Sequence, residues 1–186
     1  MRELEIKKAL THHLVKEVSA NGHSFLEELR LHGGEVRADL VLIEQMHCFE
    51  IKSEADSLTR LVNQGSRYAR VFDHVTLVMA ERHVSKAMEL LPPWWGAMVF
   101  EPSTGTFRQL RPARLNVRQS ADSLASVLTK EEALAILDDS GQMRGWRSKS
   151  LYVIQRHIAN TMPLEEIKRH IRDALLHRAN KAPAVH

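Results

Sequence analysis

Two acids and an amine stand at strand spacing in Arg37-Ala-Asp39-Leu-Val-Leu-Ile-Glu-Gln-Met-His-Cys-Phe-Glu50-Ile-Lys52. Successive strand residues point to opposite faces, so Glu50 and Lys52 share one face while Phe49 and Ile51 take the other. If Glu44 to Met46 turns a hairpin, Asp39 is carried back toward Glu50, and two carboxylates that repel each other end as neighbours. A divalent cation resolves that repulsion. Hydrolysis of a phosphodiester needs a polarised phosphoryl oxygen, a deprotonated water and compensation of charge on a pentavalent centre. A site of hard oxygen ligands supplies the first two at neutral pH. Asp39 and Glu50 are therefore the expected ligands of Mg2+, with Mn2+ as a substitute, and the Ile51 carbonyl is expected to complete part of a near-octahedral shell. Lys52 falls within reach of the attacking water or the scissile phosphate, where it could orient the nucleophile, accept a proton or offset developing negative charge.

Positioning these groups takes a small set of elements. Ile6, Leu10, Leu14 and Val18 recur at helical spacing, with Asn21-Gly22 as a stop, so an opening helix is expected. Phe25 to Leu31, Val36 to Ile43 and His47 to Lys52 read as three consecutive antiparallel strands, separated by His32-Gly33-Gly34 and Glu44-Gln45. Asp56 is the expected cap of a helix running to about Phe72, and Val75 to Ala80 is a continuous apolar run that suits a strand covered on both faces. A helix between two such strands implies a parallel crossover. A short helix over 84–91, a break at Pro92-Pro93, a strand over 96–100 and a turn at Thr104-Gly105 follow. Beyond a linker at 111–120 the chain reads as helical over 121–180, with Thr129-x-x-Glu132 as a capping box, Pro163 opening a final helix that ends near Arg178, and a frayed tail from Asn180. The fold class is thus α/β, with residues 1–110 forming the main domain.

Taken together, Asp39, the Glu50-x-Lys52 pair and the order α-β-β-β-α-β resemble the PD-(D/E)XK nuclease superfamily over about the first hundred residues, with Ala38 where the name has proline. Glu50-Ile-Lys-Ser53, Leu58-x-Arg60-Leu61, Gln64-x-x-x-Tyr68 and Val71-Phe-Asp73 are similar to a group of small stand-alone bacterial and phage proteins of that superfamily. The Gln64 and Tyr68 spacing also resembles the Gln-x-x-x-Tyr element of RecB-type nucleases. The resemblance implies a restriction-endonuclease-like core with a mixed central sheet flanked by helices, and a Mg2+-dependent enzyme that cleaves DNA. It also implies a further acid ahead of Asp39 in the metal shell, for which Glu28 is preferred to Glu27. Residues four apart share a helical face, so Gln64 and Tyr68 can both turn toward the site, Gln64 to a phosphate or to Lys52 and Tyr68 with its ring beneath and its hydroxyl inward. Arg60 and Arg67 are the expected contacts to backbone phosphates. A non-cleaving nucleic-acid-binding protein on the same fold, or an RNA-directed nuclease, are the alternatives.

Composition sets the outer bounds. At 186 residues and 44% hydrophobic the chain can bury one substantial core. A net charge of only +3 admits nucleic acid as a partner without requiring it. The single cysteine, Cys48, excludes an internal disulfide and a cysteine-rich zinc site, and fits a reducing cytoplasm. The charged amino terminus and the lack of a long apolar run predict neither a signal peptide nor a membrane span. The 11 histidines lack metal-ligand spacing and read as surface or turn residues. Trp94-Trp95 reads as closing the end of a core. The mixed charge of 121–180 leaves nucleic-acid binding there open, and one centre per chain would favour a homodimer for cutting both strands of a duplex.

Overall fold

In the computed structural model, residues 3–17 and 24–181 are described; Val18, the stop expected at Asn21-Gly22 and the tail from residue 182 lie outside them. Helix α1 (Glu3–Glu17) leads into β1 (Phe25–Leu31), β2 (Val36–Leu42) and β3 (His47–Lys52), followed by α2 (Leu61–Tyr68), β4 (His74–Met79), α3 (Val84–Leu90), β5 (Gly96–Glu101) and β6 (Thr106–Arg111). Four helices complete the chain: α4 (Ala121–Ala125), α5 (Lys130–Asp139), α6 (Leu151–Thr161) and α7 (Leu164–Lys181). The architecture is mixed α/β: a six-stranded mixed sheet in the order β1-β2-β3-β4-β5-β6, flanked by helices, with a helical carboxy-terminal region.

Strand alternation explains how the sheet is covered. Val41, Cys48, Val75, Leu77 and Met79 join the core shared with α2, α3 and the carboxy-terminal helices. Leu40, Leu42, Phe49, Ile51 and Val78 face the other way and meet Ile6, Leu10 and Leu14 of α1. Burying each such aliphatic side chain stabilises the fold by about 1.5–3 kcal/mol, which is what holds a short helix against the sheet. β1, β2 and β3 pair antiparallel, as their short connections require, whereas β3 and β4 pair parallel across α2.

One helix differs from the sequence expectation. α2 begins at Leu61 and ends at Tyr68, shorter than a helix capped by Asp56 and reaching Phe72. The Asp56 carboxylate is already engaged, since its Oδ2 accepts from the Ser53 amide (2.7 Å) and the Ser53 hydroxyl (2.5 Å). It therefore closes a turn after β3 in place of capping a helix. The capping box at Thr129 and Glu132 is formed. Trp95 is fully buried, as expected of a residue closing a core. No helix among the described residues is long and apolar enough to cross a membrane.

Candidate active site

The site is set by the β2–β3 hairpin. Leu40 lies opposite Phe49 and Val41 opposite Cys48, and continuing that register by one residue sets Asp39 against Glu50. Residues directly opposite in an antiparallel pair share a face, so both carboxylates emerge on the side that α2 covers. Both are buried, Asp39 at 8% exposure and Glu50 at 1%.

Glu50 is the centre of a hydrogen-bond network. Its Oε1 accepts from Lys52 Nζ at 2.6 Å and from Gln64 Nε2 at 2.8 Å, and its Oε2 accepts from the Tyr68 hydroxyl at 2.7 Å. The Tyr68 hydroxyl lies equally close to the Arg37 carbonyl, at 2.8 Å, so a single proton is shared between two acceptors. Gln64 and Tyr68 reach one carboxylate because they are one helical turn apart on α2. Gln64 thus contacts Glu50, the partner of Lys52, in place of Lys52 itself.

Charge is not balanced here. Two buried carboxylates face one ammonium, leaving one negative charge without a partner in a poorly solvated place. The protein answers with a proton: burial, and then Glu50, push the Asp39 carboxyl up to about 7, even though its Oδ2 accepts from the Ile51 amide at 2.7 Å. Burial, and next the charges of Glu50 and Asp39, also raise the Cys48 thiol, so it is a poor nucleophile. Tyr68 is likewise raised, by burial, Cys48 and Glu50.

Residues brought by α1 and β1 surround this pair. Glu3, Glu28 and Asp39 each present an oxygen, and these atoms lie within 4.8 Å of one another. Glu28 has a left-handed backbone (φ 58), which costs a non-glycine residue about 1–2 kcal/mol and turns its carboxylate out of the regular alternation of β1. That carboxylate is ion-paired to Lys7 and to Arg37. Lys7 is buried at 5% exposure; burial lowers its pKa, but Glu28, Glu27 and Glu3 outweigh that and hold it above its ordinary value. Glu27 is half-turned to solvent and contributes only a 3.6 Å ion pair to Lys7.

Above the two acids opens a cleft of about 820 Å³, lined by Glu3, Arg37, Asp39, Glu50, Ile51 and Lys52 below, by Arg60 just ahead of α2, and by Asn63 and Gln64 on it. Arg60 therefore faces the site. Arg67 does not line the cleft and is paired with Glu35 at 2.7 Å, so the two arginines do not form one continuous row. Of the residues expected from sequence, Asp39, Glu50, Ile51, Lys52, Gln64 and Tyr68 converge, and Glu28 stands at their edge with both oxygens engaged by cations. Glu3 and Lys7 had no signal in the sequence, because nothing in the stripe of α1 tells which polar residue lies over the sheet edge.

Hard oxygens, an unbalanced buried charge and an open cleft fit a divalent cation chemically, with Asp39, Glu3 and Glu28 the side chains whose oxygens lie close enough to share one. Comparison with known proteins adds kinship. Protein cII of Enterobacteria phage P4 is 28% identical over 144 residues, covering 76% of this chain and 54% of that protein, so the chain spans about half the length of the curated relative it matches. Among solved structures, the SPO1766 protein of unknown function from Silicibacter pomeroyi overlaps 76% of this chain and 92% of its own, at 17% identity and a TM-score of 0.43. A family model described as Bacteriophage P4 protein cII matches residues 1–184, and the chain belongs to that family.

Proposed function

We propose that this protein is a Mg2+-dependent nuclease that hydrolyses DNA phosphodiester bonds on a restriction-endonuclease-like core, in the manner of the PD-(D/E)XK enzymes. The observation that carries the reading is the placement of Asp39, Glu50 and Lys52 from adjacent strands on one buried face at the floor of a cleft, with Gln64 and Tyr68 fixing Glu50 from above.

Each group then has a task set by its surroundings. Asp39, with one oxygen on the Ile51 amide, would hold the cation through the other, its proton passing to solvent water. Glu3 would extend the ligand set, as would Glu28 by exchanging an ion pair to Lys7 or Arg37, and Glu50 would hold the Lys52 amine beside it. What the bound cation supplies is polarisation of a phosphoryl oxygen and a more acidic water. Lys52, held 2.6 Å from Glu50, is pre-oriented to offset negative charge growing on the phosphate and to direct the nucleophile, at no cost of reorganisation during the reaction. Gln64 and Tyr68 are positioning residues that fix the rotamer of Glu50. Arg37 and Arg60 on the cleft wall attract the backbone phosphates.

The test is incubation of the purified chain with plasmid, single-stranded DNA and RNA in magnesium or manganese, beside Asp39→Asn and Lys52→Met. Asparagine retains an acceptor for the Ile51 amide, so loss of activity in that variant reports on charge and not on folding. Cleavage of DNA is expected, abolished by EDTA and reduced roughly 100-fold or more by either substitution. Hydrolysis that survives both substitutions would sink the proposal. DNA binding without hydrolysis in any metal would favour the non-cleaving reading, which draws on the three internal hydrogen bonds that already occupy Glu50.

A further inference from the structure

A second surface, away from the cleft, has the chemistry of a polyanion contact. From Ser140 to Leu164 the chain carries no Asp or Glu, yet it holds Arg144, Arg147, Lys149 and Arg156. All four are exposed, and none has an ion-pair partner among the described residues. The neighbouring helix behaves differently. On α7, Lys168 pairs with Asp73 and Glu165, Arg169 with Glu166, and Arg178 with Glu132, so its positive charge is largely consumed within the protein. A basic run is ordinarily a solvated face, but solvation alone gives no reason for one segment to be stripped of acids beside another whose cations are mostly paired. The acids that bound this stretch in sequence are Asp138 and Asp139 at the end of α5 and Glu165 and Glu166 at the start of α7, and Asp122 shares a small recess with Arg156.

The segment is also held in shape. Gly141 (φ 71) and Gly145 (φ 86) make the turns that only glycine adopts freely. Trp146 packs its ring 4.1 Å from that of His157 on α6, and His157 Nε2 lies 2.9 Å from Gln142 Oε1. The loop is thus fixed to the helix that follows it, which lowers the entropy lost on binding. At the start of α6, Tyr152 and Val153 are exposed at 64% and 42%, and Arg156 lies over the Tyr152 ring, 5.9 Å from its centroid. Cations flanking an exposed aromatic and an exposed aliphatic side chain match a nucleic acid, whose phosphates take the charges and whose sugars and bases take the apolar contacts.

We infer that the loop at 141–150 and the first two turns of α6 form a nucleic-acid docking surface, with Arg144, Arg147 and Lys149 on backbone phosphates and Tyr152 against sugar or base. This surface is independent of the chemistry assigned to the cleft, and it is measured without turnover.

The experiment is fluorescence anisotropy of the full chain, in EDTA, with a short fluorescein-labelled DNA duplex and with one of its single strands. The triple variant Arg144→Gln/Arg147→Gln/Lys149→Gln is expected to bind at least about tenfold more weakly, and its plot of log affinity against log salt between roughly 50 and 200 mM to be shallower by about 2–3. Tyr152→Ala is expected to weaken binding with the salt slope unchanged. A control of equal charge, Lys130→Gln/Arg169→Gln/Arg172→Gln, is expected to change affinity less than about twofold. Far-ultraviolet circular dichroism matching the native chain shows that the variants fold. Unchanged affinity in the triple variant, an equal loss in the control, or no salt-dependent binding by the native chain would each overturn the inference.

Discussion

Asp39 retains a proton at pH values where the unfolded chain, with an aspartate near 3.8, has released it, because burial and then Glu50 push its carboxyl up to about 7. Between these two values the folded state binds more protons than the unfolded one. Its contribution to stability is therefore greatest below about 4 and declines as the pH rises to about 7. His47 acts in the opposite sense. Burial, and then His74, push its imidazole down to about 3, so the unfolded chain takes up a proton first and this group favours the fold increasingly as the pH rises from about 3 to 6.5. The two slopes oppose each other in the native chain, and the informative quantity is the difference between native protein and Asp39→Asn. In EDTA, urea denaturation at fixed pH should show the variant gaining on the native chain between about pH 4 and 7, with a constant difference above. A difference that stays flat across that range would mean that Asp39 ionises as an ordinary aspartate. Magnesium should raise the stability of the native chain and leave that of Asp39→Asn nearly unchanged, since an ion that binds only the folded state stabilises it by mass action.

Gln64 and Tyr68 reach Glu50 only because α2 lies close to the sheet, and Gly65 governs that approach, while Gly96 governs how closely β5 meets Thr76 and the chain at Ala113. A Cβ on Gly65 would stand 3.1 Å from Trp95 Cζ2, a contact that a slight shift of α2 relieves, while alanine gains about 1 kcal/mol in helix propensity. At Gly96 the added atom would collide with Thr76 Oγ1 and come within 2.9 Å of the Ala113 backbone nitrogen, and β5 has no freedom to move. Gly96→Ala should therefore cost about 2–3 kcal/mol in urea unfolding, and Gly65→Ala less than about 1 kcal/mol. The same elements account for how much of the site is legible in the sequence. Strict alternation set the faces of β2 and β3, and a short turn then left Asp39 and Glu50 little choice but to meet. Gln64 and Tyr68 were legible from helical spacing, although their common partner, Glu50, was not. The start of α2 is not legible, because Asp56 has the right type for a cap but closes a turn with Ser53. Glu3 and Lys7 were invisible, because their role depends on a left-handed backbone at Glu28 and on how α1 crosses the sheet, and neither leaves a periodic trace.

The carboxy-terminal helices are built into the same interior as the sheet. Leu124, Ile136, Ile158, Ile171 and Leu175 belong to one buried cluster with Leu29, Val41 and Val75. The segment between β6 and α4 is tied down as well: the Asn116 side chain donates to the carbonyls of Ala69 and Phe72, and Gln119 donates to Asp73 Oδ1 at 2.6 Å. Lys168 of α7 reaches the same carboxylate at 2.7 Å, with both side chains only 12% exposed. Two bodies joined by a loose tether would unfold separately, whereas a shared interior requires that they lose structure together. Unfolding followed by circular dichroism and by tryptophan fluorescence should therefore give coincident curves, because Trp94 and Trp95 report on the sheet and Trp146 on the helices. Lys168→Met should lower the stability seen by both probes by about 3 kcal/mol, since it strands a buried carboxylate. Adding Asp73→Asn to that variant should recover part of the loss, because the remaining amide no longer carries a charge and still has Gln119 as a neighbour. If Lys168→Met instead splits the two curves, the helices are a separate unit docked through this ion pair. The basic surface of α6 would then move independently of the cleft, in place of being held at a fixed distance from it by a common core.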